Sequence, residues 1–155
     1  MATRALTEYL DNNDIYYHCY NHSPAVTAAE VAQSSHIPGR HMAKTVIVDV
    51  DGSLAMAVLP ADQYMDPEKL RQALHADHVR LASESEFKDR FPFCETGGEP
   101  PFGNLYGMDV YVDDTLVSQD WIAFNAGSHT EVIKMGMGDF LRLSQASTCS
   151  FAMLH

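Results

Sequence analysis

Two apolar runs joined by a short polar turn constrain this chain most: Thr45 to Val50 (TVIVDV), then Asp51-Gly52 with one polar residue after it, then Leu54 to Leu59 (LAMAVL). β-Branched and apolar side chains suit a pleated, buried surface, and Asp-Gly is the dipeptide that a two-residue hairpin turn favours. The spacing predicts a β-hairpin at the centre of the fold. Everything else must pack around it.

The flanking sequence alternates between helix and strand signals. Leu6, Tyr9 and Leu10 lie on one helical face within Thr3 to Leu10, and Ile15 to Tyr20 reads as a strand ending at Asn21-His22-Ser23-Pro24. Thr27 with Glu30 is a capping box for a helix from Ala28 to about Ser35, closed by Pro38-Gly39. Asp66-Pro67 caps a helix over Glu68 to Leu74, Val79 to Ala82 is a short strand, and Ser83 with Glu86 starts a brief helix ending near Phe91-Pro92. Further on, Asp109 to Val112 and Trp121 to Asn125 are strands, Asp113-Asp114 and Ala126-Gly127-Ser128 are turns, and Thr130 to Met135 is a third strand. Asp139 is read as the cap of a last helix through Leu143, with a frayed tail from Ser144. With 155 residues and no linker or repeat, these elements predict one mixed α+β (α/β) domain over 1–155. Its core is a central mixed, largely antiparallel sheet flanked by helices.

Charge narrows the function classes. A net charge of −11 argues against generic DNA or duplex binding, which depends on Lys and Arg neutralising phosphates. Any nucleic-acid contact must be local, with Arg40 and His41 as candidates. No apolar run approaches the ~20 residues of a membrane span, and the amphipathic, acidic start MATRALTEYLDNND differs from a secretion signal. The expected partner list therefore contains no membrane, and the expected location is the cytoplasm. Cys19, Cys94 and Cys149 form no CxxC pair, and the histidines give no HExxH, so neither a metal site nor a cofactor is expected.

Three places carry chemistry. Lys44 precedes the most apolar strand and holds an ammonium at the end of a rigid element, although a solvated strand-end lysine reads the same way. Gly97-Gly98-Glu99-Pro100-Pro101-Phe102-Gly103 combines residues that let a backbone approach a ligand with residues that fix a loop's shape, and it also fits an ordinary surface turn. Asn125-Ala126-Gly127-Ser128-His129 is a strand end turning through glycine to present a serine and a titratable histidine. Ser128 and His129 are not a nucleophile–base pair, because adjacent strand side chains point to opposite faces.

In order along the chain, HSPAVTAAEVA, HMAKTVIVDVDG, LPADQYMDPEKLRQAL, VRLASESEF, GGEPPFGNLYGMDVYVD and FNAGSHTEVIKM followed by DF resemble the YbaK family, from about Tyr17 to Leu143. That family comprises free-standing aminoacyl-tRNA deacylases and the editing domain inserted in bacterial prolyl-tRNA synthetases. The resemblance implies a hydrolase that cleaves the ester of a mischarged aminoacyl-tRNA at its acceptor end, with a small amino acid on tRNA-Pro among the expected substrates, without metal or covalent nucleophile. A synthetase such as prolyl-tRNA synthetase is the implied partner. By the resemblance, Lys44, Gly98 and His129 are catalytic. Ala43, Thr45, Val46, Gly97, Pro101, Phe102, Gly127 and Ser128 surround the substrate, with Ala43, Val46 and Phe102 lining the amino-acid pocket. The Gly97 and Gly98 amides are the implied hydrogen-bond donors. Alanine-specific members have asparagine after the lysine where this chain has Thr45, so alanine, cysteine, serine, threonine and non-protein amino acids all stay open. A non-catalytic module of the same fold that binds tRNA, a nucleotide or a synthetase is the alternative.

Overall fold

In the computed structural model, which describes residues 3–21 and 37–154, the hairpin forms as its sequence dictates. Strands β2 (Ala43–Val50) and β3 (Ser53–Pro60) pair antiparallel from Ala43 opposite Pro60 to Val50 opposite Ser53. Both turn residues take positive φ, +50° at Asp51 and +92° at Gly52, as a tight hairpin needs. The Asp51 carboxylate accepts the amides of Asp77 at 3.0 Å and His78 at 2.7 Å, tying the turn to the following segment.

Every residue of β3 from Ala55 to Pro60 is buried, because β3 is central in a five-stranded sheet covered on both faces. Strand β5 (Val79–Leu81) joins β2 antiparallel, while β6 (Asp109–Asp113) pairs parallel with β3 and β9 (Ser147–Cys149) parallel with β6. Burial on both sides explains the unbroken apolar run. A three-stranded antiparallel sheet has β8 (Glu131–Gly136) between β1 (Tyr17–Asn21) and β7 (Trp121–Asn125). A parallel bridge between Met42 and Ala123 joins the two sheets. Strands β4 (Gln63–Met65) and β10 (Ala152–Leu154) form a small antiparallel pair.

Five α-helices are present among the described residues: α1 (Arg4–Asn12), α2 (Pro67–Leu74), α3 (Glu84–Phe87), α4 (Asp114–Val117) and α5 (Met137–Ser144). Helix α1 buries Leu6 and Leu10, and α2 is capped by the Asp66 carboxylate, which accepts from Glu68 N at 2.9 Å. One core contains Leu6, Leu10, Ile47, Val58, Phe124 and Phe140, and a second contains Val48, Ala57, Leu59, Leu70 and Phe151. The expected capping-box helix at Thr27 and Glu30 lies outside the described residues.

Four local expectations are corrected. Asp113-Asp114 is not a simple turn, since Asp113 caps α4 through Thr115 N at 3.0 Å. Only half of the Ser83–Glu86 box forms: Ser83 caps no amide with its side chain, while the Glu86 carboxylate takes both Arg80, at 3.0 Å, and Ser83. Helix α5 starts after Gly136, so Asp139 sits in its first turn and pairs with Arg142 at 3.1 Å. The tail is not frayed: Asp113 accepts the amides of Phe151 and Ala152 at 2.8 Å each, and Phe151 is fully buried. A short tail can be held by one aromatic anchor and one carboxylate, and neither shows as a periodic signal.

Candidate active site

The glycine-rich loop and the turn after β7 form one unit. Glu95 N donates to Gly127 O at 2.8 Å, Gly127 N donates to Gly98 O at 2.8 Å, and Gly98 N closes back on Glu95 O at 2.9 Å. A Cβ on Gly98 would lie 3.0 Å from the backbone N and C of Ser128, so only glycine allows this approach. Gly127, at φ +106°, lies against Thr3, whose amide donates to Ala126 O at 2.9 Å.

This network corrects one implied role. The Gly98 amide is spent on Glu95 O and the Gly97 amide on the Glu99 carboxylate, at 3.0 and 3.2 Å to its two oxygens. Neither amide is left to donate to a substrate. Two side-chain atoms are left. His129 Nε2 lies 2.7 Å from Thr96 O, and since a carbonyl only accepts, Nε2 carries a proton; in the uncharged form of the ring Nδ1 is then an acceptor. Asn125 Nδ2 points at Gly97 O, at 3.4 Å. The remaining atoms, His129 Nδ1 and Asn125 Oδ1, are buried and have no hydrogen-bond partner. Such groups cost free energy unless something donates to them. The unit is thus a rigid pair of buried acceptors suited to a hydroxyl, an ammonium or a water.

Lys44 is half-buried on β2, and burial lowers its pKa while nearby Asp62 pulls the other way. Lys44 and Asn125 each lie two residues beyond the Met42–Ala123 bridge, on strands leaving it in the same direction, which brings Lys44 to the end of β7 that carries Asn125. Thr45 is half-buried on the opposite face of β2 from Lys44, the face shared with Ala43 and Ile47. The other implied pocket residues are more internal. Ala43 and Phe102 belong to the main core, with Phe102 against the rings of Phe124 and Phe140 at 5.5 and 5.4 Å, and Val46 packs on the second core. Pro101 and Ser128 are buried, and Gly97 is exposed. Phe102 therefore anchors the end of the loop.

Asn125 and Glu99 enter the site where sequence reasoning had not placed them. The signal was available for Glu99, as the one charged residue within GGEPPFG. It is 5% exposed, and burial pushes its carboxyl up, against hydrogen bonds from its own amide and that of Gly97 and the charge of His129. His41 leaves the list of RNA contacts. It is buried, stacked on Trp121 with centroids 3.8 Å apart, and its Nδ1 meets Trp121 O at 3.0 Å. Arg40 is exposed. Burial raises the thiols of Cys94 and Cys149, the latter to about 11, so neither is a ready thiolate. Among the described residues no three His, Cys, Asp or Glu side chains are grouped to hold a metal.

The fold is thus a mixed sheet with Lys44 near the start of β2 and the glycine-clamped His129 in the turn after β7. Solved structures with this fold include the hypothetical protein APE2540, with a TM-score of 0.85 and 19% identity over 97% of this chain and 100% of that one. Another is a protein proposed to be a trans-editing enzyme for prolyl tRNA synthetase, with a TM-score of 0.79 and 18% identity over 97% of this chain and 96% of that one. Residues 22–143 match the Aminoacyl-tRNA editing domain, and the chain belongs to that family. It is 24% identical over 123 residues, 77% of its length, to the proline–tRNA ligase of Maridesulfovibrio salexigens. With that of Lysinibacillus sphaericus it shares 33% identity over 92 residues, 59% of its length. The chain spans about a fifth or less of these curated relatives, 20% and 16% respectively.

Proposed function

We propose that this protein hydrolyses the ester bond of a mischarged aminoacyl-tRNA, in trans, with a small amino acid on tRNA-Pro as the first substrate to test. The pair of buried acceptors at His129 Nδ1 and Asn125 Oδ1 carries the reading. An aminoacylated 3′-terminal ribose offers what they lack: a vicinal hydroxyl, an α-ammonium and an attacking water. Water adds to the ester carbonyl, the C–O bond to the ribose breaks, and the ribose oxygen leaves with a proton, giving the free amino acid and an uncharged RNA.

An aminoacyl ester is already activated, so positioning and charge stabilisation suffice without a covalent nucleophile. His129 Nδ1 receives a hydrogen bond from the ribose hydroxyl or the water. The Lys44 ammonium stabilises negative charge at the ester oxygen or holds the terminal phosphate. The locked loop keeps His129 and Asn125 in place, and the prolyl-tRNA synthetase that charges the RNA is the expected partner. The test is release of amino acid from a panel of tRNAs charged with alanine, cysteine, serine, threonine and proline. Accelerated release from at least one mischarged species, with proline on tRNA-Pro spared, supports the reading; binding without release refutes it.

A further inference from the structure

Behind the Gly127 turn lies a second concavity, of about 720 Å³, between the first turn of α1, the segment at Arg90 to Phe93, and Tyr106. Its walls are mainly apolar, yet its rim is unusual for a chain with net charge −11. Phe93 is 86% exposed, the most exposed large hydrophobic side chain among the described residues. Arg4 and Arg90 line the same groove, as does Glu8. One Arg90 nitrogen donates to Tyr106 O at 3.1 Å, and Arg4 meets Glu8 at 2.6 Å. Thr3 forms the inner wall and is also the residue packed on Gly127, so one residue separates this groove from the turn that carries His129.

An exposed ring beside two guanidinium groups matches the chemistry of an unpaired nucleotide. The ring offers a face to stack on, the guanidiniums meet phosphate, and the volume falls in the range of small-molecule sites. Position favours the same occupant: Phe93 lies two residues before Glu95, whose amide donates to Gly127 O at 2.8 Å, so a strand whose terminal ribose reaches Gly127–His129 passes close to Phe93. We propose that this groove receives an unpaired nucleotide near the 3′ end of the aminoacylated RNA, its base stacked on Phe93 and its phosphate met by Arg4 and Arg90. The proposal rests on the editing function and adds the place where the RNA is held.

The test compares an aminoacylated RNA minihelix with an unpaired 3′ tail against 3′-O-aminoacyl-adenosine, which has no preceding nucleotide. Phe93→Ala should lower kcat/KM on the minihelix by roughly 5- to 100-fold, the loss expected for one base–aromatic stack, mainly through KM. It should leave hydrolysis of aminoacyl-adenosine unchanged. Phe93→Trp should restore the minihelix rate, and Arg4→Ala should make the salt dependence of KM shallower by about one phosphate contact. Equal losses on both substrates, or no loss on the minihelix, overturn the proposal; the latter would fit a groove that docks a protein segment. If the wild-type protein hydrolyses neither substrate, the editing reading fails by itself. Binding of the uncharged minihelix, by fluorescence anisotropy, then decides the groove: weakening by Phe93→Ala upholds it, and unchanged affinity overturns it.

Discussion

Replacing Gly98 by alanine tests whether the two-loop clamp makes the site. The new methyl would sit 3.0 Å from Ser128 N and C and 3.1 Å from its Cα, all backbone atoms that cannot rotate away. The loops must therefore part by a few tenths of an ångström, straining the Gly127 N to Gly98 O bond that joins them at 2.8 Å. Overpacking of this kind costs about 1–3 kcal/mol, which at this chain length lowers Tm by roughly 2–12 °C. The rate should suffer more. Displacements well under 1 Å at a positioning site already matter, and 1 Å can cost about 10²-fold, so deacylation should fall by roughly 10- to 100-fold. Gly138→Ala is the control, since nothing lies within 4 Å of its Cβ position in α5. It should leave the rate unchanged and raise stability by about 0.4–1 kcal/mol. Thermal melts and single-turnover deacylation measure both effects. A Gly98→Ala protein that keeps the wild-type rate would refute the clamp.

Other outcomes follow from single groups. Deacylation, corrected for uncatalysed ester hydrolysis, should decline as pH rises through a value below that of ordinary lysine, because burial lowers the Lys44 pKa and the ammonium is the useful form; a rate flat through that range would contradict its role. Asp113→Ala should cost about 2–4 kcal/mol in urea unfolding, since it strips a buried carboxylate from the amides of Phe151, Ala152 and Thr115. Burial alone would raise the Asp113 carboxyl, but these hydrogen bonds outweigh it and the folded pKa is lowered. Its contribution is therefore present above the unfolded carboxyl range and is lost as pH falls through the lowered value, which a pH series of wild-type and Asp113→Ala melts would detect. Exhaustive chelation should leave deacylation unchanged, and activity lost to chelator and restored by zinc would overturn the metal-free account.

The hairpin and the broad α+β class were legible because periodicity and turn chemistry act locally. Thr45 to Val50 and Leu54 to Leu59 announce strands, and Asp51-Gly52 names the turn. What escaped depends on distant partners. That the amides of Gly97 and Gly98 turn inward follows from Glu99 and Glu95 folding beneath them. That Phe102 belongs to the core follows from rings contributed by residues 124 and 140. His41 looked like an RNA contact beside Arg40, yet its ring is claimed by Trp121, 80 residues away. The three candidate segments were visible in the sequence, and the joining of two of them through Gly98 and Gly127 was not.

In the proposed reaction Lys44 supplies charge to ester cleavage. Its most direct test is single-turnover release of amino acid from the best mischarged tRNA by Lys44→Ala, with circular dichroism and melting to verify the fold. Lys44 sits at a strand end, half-buried, outside the hydrophobic clusters, so stability should stay within about 0.5 kcal/mol of wild type. The rate should fall by at least about 10²-fold, the loss typical of one preorganised electrostatic donor. A folded Lys44→Ala protein that releases the amino acid at the wild-type rate would contradict the account.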